Sequence, residues 1–452
     1  MGNLAVTYSE QGKYDEGVEL EMKVLDLRKK VLGPEHPETL QSIANLAAKY
    51  SNQKKYKEAE DLQLKVWDLH KKALGPEHPD TLTNMGNLAQ TYSNQKKYEE
   101  GEELQLKVLD LCTKVLGPEH PDVLTSMSNL AVIYSDQKKY EKAEELHLKA
   151  LELRKKALGL EHPDTLTSMS NLAVTYSDHK KYQKAEELHL KVLELRKTAL
   201  GPEHRSTPIS MGSLAATYSD EGKYEKAEEL QLKVLNLHQK ALGPEHPLTL
   251  NSMAHLGATY SNQRKYDKAE EQQLKVLDLH QKAFGPEHPS TLISMGNLAR
   301  TYSKQEKYEE AGRLQLNIFD LRKKALGPEH PSTLISMRNL AATYSDQGKY
   351  EEAEELQLKE LNLCKKVHGL EDPSTLISMD NLAGTYSKQK KYVEAEELHL
   401  NVLNFHRQML GPSHPHTLTS MANLGTIYEK QSKNKEAGEL QMEIHTIQQI
   451  TK

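Results

Sequence analysis

The chain repeats a short stretch made of the residue types that catalytic and metal sites use. Residues 75–98 read GPEHPDTLTNMGNLAQTYSNQKKY and contain one histidine, two acids, several amides, lysines and two tyrosines. The histidine of the PEHP motif recurs along the chain, and its spacing decides whether a chemical or a structural role is favoured. The recurring histidines are His36, His78, His120, His162, His204, His246, His288, His330 and His414.

This spacing does not favour a metal site. Equivalent positions of stacked helices lie on the order of 10 Å apart, whereas zinc needs its ligands about 2 Å from one ion. HExxH and CxxC motifs do not occur. Cys112 and Cys364 occupy the same repeat position six repeats apart, too far for an intrachain disulfide. We therefore interpret the histidines as residues that start a helix and close a linker, and we predict no metal and no cofactor.

Signatures of enzymatic chemistry are weak as well. GKY occurs at Gly12, Gly222 and Gly348, but never five residues after another glycine, so a P-loop is not formed. No combination of nucleophile, base and orienting residue recurs or stands out. The sequence predicts a protein that is not an enzyme and has no catalytic residues.

Composition narrows the function further. The formal net charge is −6, and the lysines and arginines are scattered, whereas nucleic-acid binders carry a basic patch. No run of about 18 apolar residues is present, and the first residues lack the pattern of a signal peptide. Two cysteines in 452 residues favour a reducing compartment. We predict a cytoplasmic protein that binds neither nucleic acid nor membranes.

Comparison of the chain with itself shows a strict repeat. A glycine recurs every 42 residues without any insertion or deletion, and all 21 tyrosines and 17 of the 18 prolines follow the same period. Such a period is the signature of a repeat protein. The glycines are Gly33, Gly75, Gly117, Gly159, Gly201, Gly243, Gly285, Gly327, Gly369 and Gly411.

The helix start and stop signals in each repeat predict two helices. HPDTL opens the first helix, with proline in its first turn and Asp or Thr as capping residues, and SNQKK ends it as a short turn. The second helix is predicted from about Tyr140 to Leu158, with its glutamates on a solvated face, and the following glycine takes a left-handed cap. The first helix of residues 75–98 has an apolar stripe at helical spacing, formed by Leu82, Met85, Leu88, Ala89 and Tyr92.

One such helix pair cannot bury its apolar face alone, so neighbouring pairs must stack and share a continuous core. The sequence therefore predicts an all-α solenoid of antiparallel helix pairs. We expect one solenoid over residues 1–452, with about eleven repeats of 42 residues, of which the first is truncated.

The pattern NLAxxYxxQxKYxxAxxLxxKxL resembles the tetratricopeptide repeat (TPR). The 42-residue length and the LGPEHPDT linker are similar to those of kinesin light chains and of the C-terminal arrays of fungal NB-ARC proteins. The resemblance covers essentially the whole chain. It implies a right-handed superhelix whose concave groove is lined by the first helix of each repeat and accepts peptides. Armadillo and HEAT repeats share such periods, but the tyrosine and alanine positions argue against them.

The resemblance also implies binding residues. The asparagine before Leu-Ala lies opposite the packing stripe, and in kinesin light chains this asparagine bonds a peptide backbone. An amide both donates and accepts, so it can hold an extended strand without reading its sequence. The alternative is that each asparagine bonds a neighbouring helix. The residues are Asn3, Asn45, Asn87, Asn129, Asn171, Asn297, Asn339, Asn381 and Asn423.

Positions beside this asparagine are mostly small but vary, as expected for a surface that selects partners or for drift at exposed sites. Arg300 and Arg338 interrupt the small residues in successive repeats. Two arginines beside Asn297 and Asn339 would suit a carboxylate or phosphate, so we expect ligands with acidic groups there. The alternative is an ion pair between Arg338 and Asp380.

One repeat, around residues 201–224, is irregular. Arg205 replaces proline, Pro208 replaces leucine and Ser213 replaces asparagine. We expect Thr207 and Pro208 to act as a new cap and first helical residue. This would shorten the helix by about a turn and change the superhelical curvature locally.

Two functions remain after this reasoning. The first is a non-enzymatic scaffold or adaptor that binds extended peptide segments in the groove. The second is a structural array that self-associates through its uncapped ends, or the C-terminal sensor region of an NB-ARC-type signalling protein.

Overall fold

The computed structural model describes residues 14–53 and 55–450, and its regular elements are 21 α-helices with no strand in that part of the chain. The all-helical prediction is therefore confirmed. The helices alternate between the second helix of one repeat and the first helix of the next. The second helices are α1 (Tyr14–Leu32), α3 (Tyr56–Leu74), α5 (Tyr98–Leu116), α7 (Tyr140–Leu158), α9 (Tyr182–Leu200), α11 (Tyr224–Leu242), α13 (Tyr266–Phe284), α15 (Tyr308–Leu326), α17 (Tyr350–His368), α19 (Tyr392–Leu410) and α21 (Asn434–Ile450).

The first helices begin at or next to the proline of the linker motif, as the helix start signals predicted. They are α2 (Pro37–Asn52), α4 (Pro79–Asn94), α6 (Pro121–Asp136), α8 (Pro163–Asp178), α10 (Ser206–Asp220), α12 (Pro247–Asn262), α14 (Pro289–Lys304), α16 (Pro331–Asp346), α18 (Pro373–Lys388) and α20 (Pro415–Lys430).

The chain divides into two compact units, an N-terminal unit (Met1–Gln263) and a C-terminal unit (Arg264–Lys452). Within each unit, consecutive helices pack against each other, and some first helices of neighbouring repeats also touch. These contacts join α4 to α6, α6 to α8 and α8 to α10 in the N-terminal unit, and α16 to α18 in the C-terminal unit. Residues at equivalent positions of these first helices therefore form rows on one face.

The core is a thin layer that recurs in every repeat that the structure describes. In the NLA segments, the leucine and the residue after it are buried, as Leu88 and Ala89 are, and the alanine near the start of the second helix is buried as well. Alanine at this point lets the two helices of a repeat approach closely. Because each repeat needs only a few apolar side chains, the low aromatic content is explained.

The linker owes its shape to three residues of the GPEHPDT motif. Gly75 has φ +91° and ψ +165°, a conformation essentially restricted to glycine rather than the left-handed helical cap expected from the sequence. His78 caps α4, because its Nδ1 accepts the Asp80 N–H at 3.2 Å. Thr81 does not cap the helix but donates to the Gly75 carbonyl at 2.9 Å. The helix-start role of the histidines is thus confirmed, and Asp372 takes that role in the one repeat where it replaces histidine.

Adjacent repeats are joined by a clasp of polar side chains. Lys97, at the turn before α5, pairs with Glu60 of α3 at 2.9 Å, and Gln95 donates to the same carboxylate at 2.8 Å. This glutamate is largely buried, so the prediction of a wholly solvated glutamate face is wrong for this position. The same clasp recurs as Lys139–Glu102, Lys181–Glu144, Lys223–Glu186, Lys307–Glu270, Lys391–Glu354 and Lys433–Glu396.

The irregular repeat is less disturbed than the sequence suggested. Helix α10 begins at Ser206 and loses one residue rather than a turn, so the predicted shortening is wrong. Pro208 lies in the first turn, where backbone N–H groups have no intrahelical acceptor, and its missing N–H therefore costs little. Thr207 is not a cap, because it donates to the Gly201 carbonyl at 2.9 Å like its equivalents.

A glycine pair in the N-terminal unit tests the backbone account. Gly222, in the turn after α10, has φ +85°, whereas Gly212 lies within the helix, and a Cβ built on either meets no atom within 4 Å. We expect Gly222→Ala to destabilise the unit by about 1 kcal/mol, because L-residues are strained at positive φ. Gly212→Ala should instead stabilise it by about 0.5–1 kcal/mol through helix propensity. Urea unfolding followed by circular dichroism measures both, and equal effects would contradict the account.

Candidate functional site

The asparagines predicted to bind peptides lie on the outward side of the first helices. Asn87 is exposed while Leu88 and Ala89 beside it are buried, and the other described asparagines of the set are exposed or half-exposed. Asn3 lies outside the described residues. We define the first-helix face as the surface formed by this asparagine position together with the exposed positions three, four and seven residues away from it on the same helix.

Most of these amides have no partner within the described part of the chain. The exceptions are Asn45, which accepts from Gln41 at 2.9 Å, and Asn297, which accepts from Arg300 at 3.3 Å. Bonding to a neighbouring helix, the alternative role for this position, is therefore not observed. The side chains left with free donors and acceptors are those of Asn87, Asn129, Asn171, Asn339, Asn381 and Asn423.

The residues before the asparagines lie over a buried polar layer. Gln105 of α5 is almost wholly buried, and its Oε1 would be 3.7 Å from a Cβ built on Gly86. Its Nε2 donates to the Ser126 hydroxyl at 2.8 Å, but its Oε1 has no partner among the described atoms. A Cβ at Gly86 would thus be in ordinary van der Waals contact with this buried amide, so the residue before the asparagine packs on the layer below as well as bordering the open surface.

Arg338 does not form the anion site that the sequence suggested. Its Nε donates to Oε1 of Glu360 at 3.0 Å, and its Nη2 bonds the same oxygen and the Ser378 hydroxyl. The exposed fraction is 17% for the Arg338 side chain and 0% for Glu360, so this is a buried ion pair. The expected anion pocket is wrong for Arg338, because its charge is already matched within the fold.

The alternative pairing of Arg338 with Asp380 is also wrong. The Oδ1 of Asp380 lies 3.0 Å from Nδ1 of His399 on α19. Arg338 and Asp380, both at the position before the asparagine, are thus each matched by a polar residue on a neighbouring second helix. Arg300 differs from both, because it is exposed and its one described contact is with Asn297.

A further polar row was missed from the sequence. One position of the second helix varies among Arg, His and Cys, and in most repeats it bonds the serine 14 residues later on the next first helix. Examples are Arg154 to Ser168, Arg196 to Ser210 at 2.6 Å and His280 to Ser294 at 2.7 Å. Burial lowers the pKa of the Arg154 and Arg196 guanidinium groups. The signal was the constant polarity of this position despite its changing residue type.

The described residues contain no group of three or more His, Cys, Asp or Glu placed to hold a metal ion. Cys112 and Cys364 are free and buried, and burial raises the pKa of both thiols. No helix in the part of the chain that the structure describes is long and apolar enough to span a membrane. What the site offers is a row of amides on a rigid helical support.

The family model for the tetratricopeptide repeat matches the chain ten times. The matches overlap and cover nearly all of it, at residues 1–66, 45–100, 90–156, 122–198, 164–237, 206–272, 255–315, 302–366, 342–404 and 374–449. The chain belongs to the tetratricopeptide repeat family. This TPR array is therefore a member of a family of repeat scaffolds that typically mediate protein–protein interactions, and the resemblance to the tetratricopeptide repeat is confirmed.

Solved structures similar to this TPR array include nearly identical TPR-like repeats, named for a kinesin light chain, from Podosopora anserina. They are 33% identical to it, cover 46% of this chain and 99% of their own, with a TM-score of 0.43. A single-substitution variant gives 33% identity, 45% and 97% coverage and a TM-score of 0.42. BtubC (BKLC) from P. vanneervenii is 18% identical, with 55% and 94% coverage and a TM-score of 0.41. No curated protein matches the TPR array.

Proposed function

We propose that this TPR array is a non-enzymatic scaffold that binds extended peptide segments along the first-helix face, in a cytoplasmic setting. The observation that carries the proposal is that each unit has three asparagine amides without partners among the described residues, at one position of successive first helices. They are Asn87, Asn129 and Asn171 in the N-terminal unit and Asn339, Asn381 and Asn423 in the C-terminal unit. Each amide offers a donor and an acceptor to a peptide backbone. A strand held in this way is bound by its main chain, and the side chains around the amides then select its sequence.

The rigid support of the amides favours binding. Each asparagine is followed by two buried residues, and the clasps between repeats fix neighbouring first helices. A preorganised row loses little entropy when a ligand binds, so modest single contacts can add up to a useful affinity. Arg300, which is exposed, remains available to an acidic group of such a ligand.

Panning of a displayed library of linear peptides on the intact chain tests the proposal. The affinity of the selected peptides is then measured on a variant with Asn129, Asn171, Asn339 and Asn381 changed to Ala. Loss of several backbone bonds should weaken binding by more than about tenfold. A matched control changes four exposed asparagines of second helices to Ala, namely Asn236, Asn317, Asn362 and Asn404.

The control variant should bind the selected peptides like the wild type, and both variants should keep their helical circular dichroism. If the groove variant binds as tightly as the wild type, the first-helix face is not the binding surface. A library that yields no binder to the wild type would also count against the proposal.

A self-associating array is the second candidate, and one observation favours it. The second helices of the N-terminal unit carry partly exposed leucines at one repeat position, Leu106, Leu148, Leu190 and Leu232. A continuous apolar row can pack against a second copy. Sedimentation velocity over a range of concentrations distinguishes the candidates, because a scaffold of the first kind stays monomeric.

A further inference from the structure

Three aspartates form a row at the C-terminal ends of consecutive first helices in the N-terminal unit. Asp136, Asp178 and Asp220 end α6, α8 and α10, which contact each other in this order. All three are exposed. We call this set the acid row.

The acid row has no cationic partner within 4 Å in the described part of the chain, which distinguishes it from the same position in the C-terminal unit. There, Lys388 of α18 lies 3.4 Å from Asp346 of α16 and donates to the Ser345 hydroxyl at 3.0 Å. Lys430 on α20 likewise bonds Ser387 at 2.8 Å. At this helix position the C-terminal unit thus pairs Lys388 with Asp346, whereas the N-terminal unit has three aspartates and no lysine.

The carboxylates of the acid row also act on each other. Partial shielding from water by the neighbouring helices raises the pKa of Asp178, and the negative charges of Asp220 and Asp136 raise it further, while the bond from Ser135 opposes this effect. Partial shielding from water raises the pKa of Asp220 as well. Repulsion of this kind is relieved when a cation binds among the carboxylates.

The last aspartate of the acid row lacks a serine hydrogen bond that the other two aspartates have. Ser93 donates to Asp136 at 2.9 Å and Ser135 to Asp178 at 3.4 Å, each 43 residues ahead. Ser177 occupies the next position of this series, 43 residues before Asp220. It is 8% exposed, and its hydroxyl has no hydrogen-bond partner among the described atoms. Asp220 therefore lacks the serine donor that its two equivalents have.

Apolar side chains and amides accompany the acid row on the same helix face. Val132 and Val174 are exposed one helical turn before Asp136 and Asp178. Asn129 and Asn171 precede the valines by three residues, so amide, valine and aspartate lie at positions i, i+3 and i+7 of one face. A ligand on this surface would meet an amide row, an apolar row and an acidic row side by side.

We propose that the surface of α6, α8 and α10 binds an extended peptide segment that carries lysine or arginine at about every third residue. Neighbouring helices lie about 8–10 Å apart, and an extended polyproline II segment has three residues per turn and advances about 3.1 Å per residue, so every third side chain lies on the same side and meets the next aspartate. The valines contact the ligand's apolar side chains between the charges. This inference rests on the proposed function and names the ligand of one part of the first-helix face.

The test uses the full chain and two dye-labelled peptides. One consists of repeated Lys-Val-Ser triplets and the other of Glu-Val-Ser triplets of the same length, and binding is followed by fluorescence anisotropy. The lysine peptide should bind and should weaken as salt is raised, and the glutamate peptide should bind at least about tenfold more weakly. Equal binding of the two peptides, or no binding of the lysine peptide, would overturn the proposal.

Variants locate the binding. Asp136→Asn, Asp178→Asn and Asp220→Asn together should reduce affinity for the lysine peptide about tenfold. Asp178→Lys should do the same, because it copies the Lys388–Asp346 arrangement into the N-terminal unit. The new lysine would pair with an aspartate of the acid row and compete with the peptide for it. The control removes the same charge from second helices of this unit through Glu145→Gln, Glu152→Gln and Glu187→Gln, and it should bind like the wild type.

A further variant, Asn129→Ala with Asn171→Ala, separates this proposal from the general one. One outcome is that the Asn129→Ala, Asn171→Ala variant loses the lysine peptide while the variant with the three aspartates changed to asparagine still binds it. In that case the first-helix face binds peptides, but the assigned role of the acid row is wrong. If both variants lose the peptide and the glutamine control keeps it, the assignment is supported. If neither variant loses it, the peptide binds elsewhere and both proposals fail here.

Discussion

Replacing Arg338 with alanine is expected to destabilise the C-terminal unit by about 3–5 kcal/mol, because it leaves a buried carboxylate without its cation. Glu360 is 0% exposed, and its Oε1 accepts from Arg338 and from Ser378 at 2.7 Å. The Cys364 thiol also donates to this oxygen, at 3.4 Å. The two neutral donors cannot replace the charge of the guanidinium, so the buried carboxylate would be left without a charged partner.

The double variant Arg338→Ala with Glu360→Val should recover most of that loss, since it restores the residue types that other repeats carry at these positions. Val276 and Val402 are the buried equivalents of Glu360 within the same unit. Arg300→Ala serves as the matched control, because Arg300 is exposed and should cost no more than about 0.5 kcal/mol. Urea unfolding measures all three, and a loss for Arg338→Ala no larger than that for Arg300→Ala would contradict the buried ion pair.

Mild acid is expected to destabilise the N-terminal unit through two buried histidines. Burial, and secondarily the positive charge of Arg154, lowers the pKa of His147 to about 4. Burial and the charge of Arg196 do the same for His189, whose pKa is also about 4. Unfolding exposes both to water, where their pKa returns to about 6.5. The unfolded chain therefore binds more protons between these two pH values.

The sign follows from this difference in proton uptake. Stability contributed by the neutral histidines is fully present above about pH 6.5 and is lost as the pH falls towards 4, by up to about 3 kcal/mol for each residue. His147→Gln with His189→Gln should flatten this dependence, because Gln105 and Gln231 occupy the same position in neighbouring repeats. Urea unfolding of the wild type and the double variant between pH 7 and 4.5 tests this. His445→Gln, an exposed histidine in α21, is the control and should leave the curve unchanged.

The helices and their limits could be predicted closely because the linker and turn residues recur at the same positions in every repeat. The predicted second helix from Tyr140 to Leu158 matches α7, and the PEHP histidines cap the first helices as expected. What the periodicity could not supply was the partner of each polar side chain. The clasp between Lys97 and Glu60 joins residues 37 apart in different repeats, and a glutamate on an apparently solvated face gives no local sign of it.

In the candidate site, too, the positions of residues could be predicted from the sequence, but the partners of polar side chains could not. The outward position of the asparagines followed from helix periodicity alone. The burial of Arg338 and its ion pair did not follow from periodicity. One sign of the pair was present in the sequence, since Glu360 stands where the other second helices carry an apolar residue. A charge at a core position calls for a partner, and the arginine that interrupts a small-residue position provides it. The acid row depends on which first helices touch, and only the packing of α6, α8 and α10 gives that information.

The central claim is that the first helices, rather than the second helices, hold the ligand. One repeat offers a matched pair of apolar residues to test it, Val174 on α8 and Leu190 on α9, with exposed fractions of 47% and 45%. A photoactivatable benzoylphenylalanine is placed at either position, and crosslinking of a library-selected peptide is measured by mass spectrometry. The account predicts crosslinks from position 174 and background yield from position 190. Crosslinks from position 190 with none from position 174 would contradict it.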